Sequence, residues 1–131
     1  MYKKIIVMLC LLLAIAGSAF AKDNWTYYGN NSKGDSFYAN LADITKTKDP
    51  SDKQTIYLVW AGTRPFAKQY VDNAIYVGLK NNPKVYNIFG VIEFNEDGSV
   101  KDYFSVKEIK WIPIKSGSAM EDLYELIVKH K

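Results

Sequence analysis

The 131-residue sequence is poor in cysteine and histidine, and each shortage excludes a type of site. Its one cysteine is Cys10 and its one histidine is His130. Once the N-terminal segment described below is removed, no disulfide, cysteine nucleophile or zinc–thiolate site is available. A Ser-His-Asp triad needs a rigidly held imidazole, and a metal site needs three or four ligands. We therefore interpret His130 as an exposed side chain and predict no catalytic, cofactor-binding or metal-binding residues.

The longest apolar run lies at the N-terminus and is typical of a secretory signal peptide. Lys3 and Lys4 precede an uninterrupted apolar run over residues 5–16, and Ala-Phe-Ala at residues 19–21 matches a cleavage site. The run is shorter than the roughly 20 residues that span a bilayer as a helix, which disfavours a transmembrane anchor. We predict a signal peptide over residues 1–21 and one domain over residues 22–131.

Two further features of this segment bear on the exported domain. Cys10 follows the bulky Leu9, whereas a lipoprotein signal places a small residue before its cysteine, so lipidation is not predicted. Cleavage leaves 110 of the 131 residues, enough for one compact domain, and reduces the 17 basic residues to 15 against 14 acidic ones. A balance of +1 gives no broad basic surface for nucleic acid. We expect a periplasmic, surface-exposed or secreted domain without a stable membrane span.

Short apolar and aromatic runs separated by turn-forming residues predict about six antiparallel β-strands. Residues 95–98, Asn-Glu-Asp-Gly, are typical of a hairpin turn. Residues 45–54 are predicted to be an exposed loop, and the pattern leaves open whether residues 66–73 form a helical turn or irregular chain. The strand candidates lie at residues 25–28, 36–39, 55–60, 74–79, 84–93, 100–106 and 108–114.

One segment near the C-terminus has the apolar spacing of an amphipathic helix. Ser118 and Glu121 fit a capping box, in which each side chain accepts a hydrogen bond from the backbone N–H of the other residue. We predict a helix over residues 118–128 whose apolar stripe packs on the sheet, which makes the fold class α+β. The stripe consists of Met120, Leu123, Tyr124, Ile127 and Val128.

Aromatic residues are the one compositional excess. The sequence has 3 Trp, 10 Tyr and 6 Phe, and all but Tyr2 and Phe20 lie beyond the predicted signal peptide. Exposed tyrosine and tryptophan are good binding surface, because they offer a large apolar area with a polar tip. The preferred interpretation is that they cover both sides of a sheet, where aromatic residues are favoured anyway. The candidates for exposure are Tyr27, Tyr57, Tyr70, Tyr76 and Tyr103.

Two groups of charged residues admit a functional and a structural interpretation. Carboxylates surround the predicted hairpin, but they lack the spacing of an EF-hand, so a solvated turn is favoured over a calcium loop or a catalytic pair. Lysines recur in the C-terminal third and would bind an anionic polymer if grouped, but interspersed acids favour a mixed solvated surface. The carboxylates are Glu93, Glu96, Asp97 and Asp102, and the lysines are Lys101, Lys107, Lys110, Lys115, Lys129 and Lys131.

Several short motifs lie in order along nearly all of residues 22–131. They are Trp25-x-x-Tyr28-Gly29, Gly34-x-x-Phe37-Tyr38-x-Asn40, Ile44, Val59-Trp60, Asp97-Gly98-x-Val100, and Gly117-Ser118 ahead of Leu123-Tyr124. Their order and spacing resemble those of the surface-adhesin protein E family. The resemblance implies a small exported bacterial domain, with a curved antiparallel sheet carrying a C-terminal helix. It also implies binding of host extracellular proteins at the bacterial surface.

Two departures from the family pattern concern the junction of helix and sheet. Many members carry a cysteine after the middle strand and another at the helix end, where this sequence reads Val-Gly-Leu at 77–79 and Ile-Val-Lys at 127–129. Prolines before the family's helix are replaced here by Lys115 and Ser116. Apolar contacts must therefore hold the helix without the about 2–4 kcal/mol that a disulfide typically adds.

The sequence thus predicts an exported, non-enzymatic binding module that engages an envelope or extracellular protein through a sheet face or edge. Two alternatives stay open. One is a small exported enzyme that uses carboxylates or a Ser-Lys pair. The other is a structural envelope protein that self-associates into a homo-oligomer.

Overall fold

A computed structural model describes residues 25–106 and 108–128 of the chain. The predicted signal peptide, Lys107 and residues 129–131, which include His130, lie outside the described residues. Over the described ranges the chain forms eight strands, one 3₁₀ turn at Leu41–Asp43 and one α-helix. The elements are β1 (Trp25–Asn30), β2 (Ser36–Asn40), β3 (Thr45–Lys48), β4 (Thr55–Arg64), β5 (Asn73–Asn81), β6 (Lys84–Phe94), β7 (Val100–Ser105), β8 (Ile112–Pro113) and α1 (Ala119–Val128).

These strands form one antiparallel sheet in the order β1-β2-β4-β5-β6-β7. β3 pairs with the first half of β4, and β8 pairs with the start of β6. The predicted α+β class, with the C-terminal helix packed on the sheet, is confirmed. The described residues contain eight strands where about six were expected: six form the main path, β3 was not among the candidates, and β8 is what remains of the candidate at 108–114.

The sheet is strongly curved, as the ends of β1 and β6 show. Three strands separate β1 from β6, which in a flat sheet places them about 19 Å apart at about 4.8 Å per strand. The rings of Trp25 and Phe94, one on each strand, nevertheless have centroids 6.4 Å apart. We call the side of the sheet on which these rings meet the concave face.

Alternation along the central strands gives the sheet two buried faces. Ile56, Leu58 and Trp60 of β4 belong to the cluster on the concave face, whereas Val59 and Ala61 belong to the cluster on the opposite side. The concave cluster consists of Ile56, Leu58, Trp60, Ala74, Tyr76, Phe89, Ile92 and Phe94. β4 is therefore a central strand that is apolar on both sides.

Helix α1 covers the other side, which we call the helix face. Leu123, Tyr124 and Ile127 are almost fully buried against it, and the Tyr124 hydroxyl donates a hydrogen bond to Oδ1 of Asn81. Burying three such side chains stabilises the packed helix by about 5–9 kcal/mol before entropy is subtracted. Met120, at the start of the predicted stripe, is half-buried at the edge of this cluster.

The predicted capping box forms only in part. The N–H of Glu121 donates to Oγ of Ser118 at 3.2 Å, as expected. The Glu121 carboxylate, however, accepts from the N–H of Gly117 at 2.9 Å, and the N–H of Ser118 donates to the Lys115 carbonyl. The cap therefore reaches one residue further back than the motif predicts.

Three local predictions need correction or completion. Residues 45–54 are not all loop, because the first four form β3, whose Thr-Lys alternation has no apolar period and whose partner is β4. The expected strand at 108–114 is reduced to β8, since Ile109 and Trp111 pack on the concave cluster instead. Residues 66–72 form turns and bends rather than a helical turn.

Candidate functional site

A cleft opens at the end of the concave face where β1 approaches the turn between β6 and β7. Its volume is about 150 Å³. Apolar and aromatic side chains line most of it, and Arg64, Gln69 and Glu96 add polar groups. We call it the aromatic cleft. Its apolar lining consists of Trp25, Tyr38, Tyr70, Val71 and Phe94.

Gly62 in β4 allows two sides of the aromatic cleft to approach the strand. A Cβ atom at Gly62 would lie 2.7 Å from Cγ1 of Val71 and 3.2 Å from the nearest ring atom of Trp25. Any side chain there would push both residues away. The segment after β4 returns to the sheet through a hydrogen bond from the N–H of Asp72 to the Thr63 carbonyl, 3.1 Å long.

Arg64 is fixed beside the aromatic cleft by two hydrogen bonds. Its Nη1 donates to the Lys68 carbonyl at 2.9 Å, and its Nη2 donates to Oγ of Ser36 at 3.1 Å. Since a guanidinium has five N–H groups, this leaves donors for an oxygen atom of a bound group. The ammonium of Lys68 lies 2.9 Å from Oδ2 of Asp72, and this hydrogen bond raises the pKa of Lys68.

Two exposed aromatic residues belong to the chain segments that line the aromatic cleft. Tyr27 packs edge-on against Tyr38 with ring centroids 5.7 Å apart, and it is 54% exposed. Phe66 is 73% exposed, and its N–H donates to Oδ1 of Asp35 at 3.0 Å. The Asn31 amide and this N–H hold the pKa of Asp35 below its usual range. The aromatic surface therefore extends from inside the cleft to the surrounding solvent-facing side chains.

The opposite end of the concave face is closed by an ion cluster in which Lys80 and Asp49 are buried and Asp52 is exposed. Nζ of Lys80 lies 2.6 Å from Oδ2 of Asp49 and 2.7 Å from Oδ2 of Asp52. The same ammonium lies 4.3 Å from the centre of the Trp111 ring, and Lys80 is only 4% exposed. Trp111 also packs against Phe89 with ring centroids 6.2 Å apart.

The protonation states of this cluster follow from its geometry. Burial alone would lower the pKa of Lys80, but the hydrogen bonds to Asp49 and Asp52 raise it above its usual value. Burial opposes ionisation of Asp49, yet the Lys80 ammonium and Ser51 hold its pKa below the usual range. The Lys80 hydrogen bond likewise lowers the pKa of Asp52. At neutral pH one cation therefore faces two carboxylates.

The five tyrosines singled out from the sequence divide between core and surface. Tyr76 is fully buried beside Trp60, and burial, aided by the charge of Asp43, raises its pKa well above the usual range. Tyr57 and Tyr103 are half-buried against the two clusters. Tyr27 is exposed, and Tyr70 lines the aromatic cleft.

Other residues of the aromatic cleft were not singled out as a site. Trp25 and Tyr38 lie on the paired strands β1 and β2, whereas Phe94 lies on β6, and only the curvature of the sheet brings Phe94 to them. The one available signal was that Trp25 and Tyr38 both belong to the motifs that carry the family resemblance.

Within the described residues, the carboxylates and lysines singled out from the sequence lie in turns, on strands and in irregular segments, and most of them face solvent. Asp97 accepts hydrogen bonds from the N–H and Oγ of Ser99, which lower its pKa, so the carboxylate stabilises the turn between β6 and β7. Glu93 and Asp102 face each other across β6 and β7. Lys101, Lys110 and Lys115 lie on three separate segments, while Lys107, Lys129 and Lys131 lie outside the described residues.

Residues 25–106 and 108–128 contain no group of three or more histidine, cysteine or carboxylate side chains placed to hold a metal ion. No helix in this part of the chain has the length and apolar character needed to cross a membrane. Comparison with protein-family models, with curated proteins and with solved structures gave no match to this chain.

Proposed function

We propose that this chain is an exported, non-enzymatic binding domain of the surface-adhesin protein E type. It engages an envelope or extracellular protein by accepting one apolar side chain of that partner in the aromatic cleft. The observation that carries the proposal is the cleft itself, a small opening lined mainly by aromatic and aliphatic side chains.

The size of the aromatic cleft favours a protein partner over a cofactor. Pockets for drug-sized ligands and cofactors typically measure about 300–1,000 Å³. The aromatic cleft measures about 150 Å³, and an apolar cavity of about 150 Å³ accommodates a ligand as small as benzene. One bulky side chain is therefore the occupant of matching size, and a single anchored residue is typical of protein–protein binding.

The surroundings of the cleft supply the remaining contacts of such an interface. Tyr27 and Phe66 offer exposed rings on the chain segments that line it, and tyrosine and phenylalanine are enriched where protein surfaces meet. Arg64, already oriented by Ser36 and Lys68, offers donors to a backbone carbonyl or carboxylate of the partner. An apolar anchor surrounded by a polar rim is the common arrangement of such interfaces.

Site-specific photo-cross-linking in the exporting cell tests this proposal. The full chain would carry a photoreactive amino acid at Gln69, in the cleft lining, or at Lys48, an exposed position at the end of β3. We expect a discrete heterologous protein adduct from position 69 that the Tyr70→Ala substitution removes, and no such adduct from position 48.

Three outcomes would count against the proposal. Adducts of the same pattern from both positions, or none from position 69, would contradict the aromatic cleft as the binding site. An adduct between two copies of the chain would favour the self-associating envelope protein instead, and light scattering over a concentration series would then show a dimer or larger species.

A further inference from the structure

A second surface lies on the helix face, along β5, β6 and β7. The strand registers align Ala61, Ile75, Val91 and Phe104 in one row across four strands. Ala61 belongs to the helix-face core, and residues paired across strands share a face, so the row lies on the helix face. Ile75 and Val91 are half-buried, and Phe104 is 51% exposed. The row is therefore an apolar strip that α1 leaves partly open.

An acidic row runs next to this strip. Glu93 of β6 stands directly opposite Asp102 of β7, and like charges in that position repel each other. Asn73 follows in the same row, and its amide donates to Oδ1 of Asp72 at 2.7 Å. Among the described residues, no lysine or arginine forms an ion pair with Glu93 or Asp102. A cation placed beside this pair would relieve the repulsion.

β7 is also an edge of the sheet. Within the described residues it pairs with β6 alone, so its other side presents backbone N–H and C=O groups to solvent. An extended peptide can add to such an edge as a further strand. Every second side chain of the peptide then lies on the same face as Asp102 and Phe104 and can contact them.

We propose that the β7 edge binds an extended segment of a partner protein in which a basic residue and a bulky apolar residue stand two positions apart. In an added strand, the residues opposite Asp102 and Phe104 lie on one face and are separated by one residue. The basic side chain faces Asp102 and Glu93, and the apolar side chain covers Phe104 and Val91. This surface is separate from the aromatic cleft and goes beyond the proposed function.

A second copy of this chain is a poorer occupant of the edge. When two β7 strands pair antiparallel in one continuous sheet with the two-fold axis at Asp102 or Tyr103, the residue opposite Asp102 is Asp102 or Phe104 of the other copy. Neither residue is a cation, and the first pairing adds a further like-charge contact. Charge complementarity therefore favours a heterologous segment.

Peptide titrations followed by NMR test the inference on the full chain, purified after expression with its own N-terminal segment. The probe is a seven-residue, threonine-rich peptide that carries one lysine and one valine with one residue between them. Three matched peptides replace the lysine by glutamate, replace the valine by serine, or place proline at two backbone-pairing positions. We expect the first peptide to shift the backbone amides of residues 100–105 and to slow their hydrogen exchange.

Substitutions in the protein test the charge contact, and each has an expected effect on peptide affinity. Asp102→Asn should weaken binding of the lysine peptide by about two- to fivefold, and Asp102→Lys should make the glutamate peptide the tighter ligand. Asp122→Asn removes the same charge from an exposed position near Gly29 of β1 and should change nothing. Tyr70→Ala should also leave the affinity unchanged, which separates this edge from the aromatic cleft.

Three results would overturn the inference. They are equal shifts with the proline peptide, equal affinity for the lysine and glutamate peptides, or protection of residues 100–105 that grows with protein concentration and needs no peptide. The last result would assign the edge to a second copy of the chain.

Discussion

The two ends of the concave face are built from similar residues but differ in what they leave open. At one end Trp111 covers Lys80, whose charge is met by Asp49 and Asp52, and both Lys80 and Asp49 are buried. At the other end Trp25 lines a cleft of about 150 Å³ in which the aromatic faces have room for another group.

A cluster of titratable groups is not by itself a site. The cluster at the closed end satisfies its own charges, and its contacts join the loop before β4 to the end of β5. The open end has fewer charges but an open apolar cleft. We therefore expect the closed end to contribute stability and propose recognition for the open end, and substitutions at each end should separate these roles.

The largest expected effect is the loss of stability in Lys80→Met. The substitution keeps an unbranched side chain but leaves the buried Asp49 carboxylate without its cation, which should lower the free energy of unfolding by about 3–5 kcal/mol. Urea denaturation followed by circular dichroism measures it. Adding Asp49→Asn should restore part of the loss, because it removes the orphaned charge.

Lys46→Met is the matched control for this substitution. Lys46 is an exposed lysine of β3, and its ammonium lies 5.5 Å from the centre of the Tyr57 ring. The expected loss is within about 1 kcal/mol, as for an exposed cation–π contact. Equal losses in the two variants would show that the ion cluster is not a stabilising element.

Lys80→Met should reverse the direction in which the free energy of unfolding changes with pH. In the native chain the pKa values of Asp49 and Asp52 are lowered in the folded state, so their contribution is present above about pH 4 and is lost as the pH falls further. In Lys80→Met the buried Asp49 should instead have a raised pKa, so stability should increase as the pH falls from 7 towards 4. Urea denaturation of both proteins between pH 3 and 7 measures this, and parallel curves would contradict it.

Trp111→Leu should have an intermediate effect on stability. Leucine retains apolar cover over Phe89 but removes the ring face beneath the Lys80 ammonium, so we expect a loss of about 1–2 kcal/mol. Thermal unfolding measures the change. A variant as stable as the native chain would show that the tryptophan contributes only its apolar area.

The smallest expected effect on stability is that of Tyr70→Ala. Tyr70 lines a cleft open to solvent and sits outside both buried clusters, so its removal should change the free energy of unfolding by only about 0.5 kcal/mol. Binding of the partner should nevertheless fall by about thirtyfold or more, as for a central anchor residue. A loss of stability without a loss of binding would assign Tyr70 to the core.

Local patterns predicted the helix and most strands because each carries its own signal. Leu123 and Ile127 recur at helical spacing beside the Ser118 cap, and the runs of β4 to β6 are dense in β-branched and aromatic residues. β3 was missed because its Thr-Lys alternation is hydrophilic and because it forms a strand only through its hydrogen-bonded pairing with β4. Lysines at an edge strand are a common protection against unwanted pairing, which hides the strand from a hydrophobic pattern.

The aromatic cleft could not be predicted as a unit from the sequence. Its residues come from β1, β2, the segment between β4 and β5, and the end of β6, and their proximity depends on the curvature of the sheet. The motifs identified Trp25 and Tyr38 without assigning them a shared site. Tyr76, singled out with Tyr70, proved to be core, because strand alternation alone does not show which face is covered.

The most direct test of the central claim uses the three tryptophans as reporters, one in the aromatic cleft, one in the core and one at the closed end. The full chain, labelled with fluorotryptophan, would be titrated with N-acetylphenylalanine amide and, as control, N-acetylglycine amide, and followed by fluorine NMR. We expect a saturable shift of the Trp25 resonance with the first compound only, while Trp60 and Trp111 stay unchanged. A shift that is largest at Trp111, or no shift at Trp25 up to the solubility limit of the compound, would contradict it.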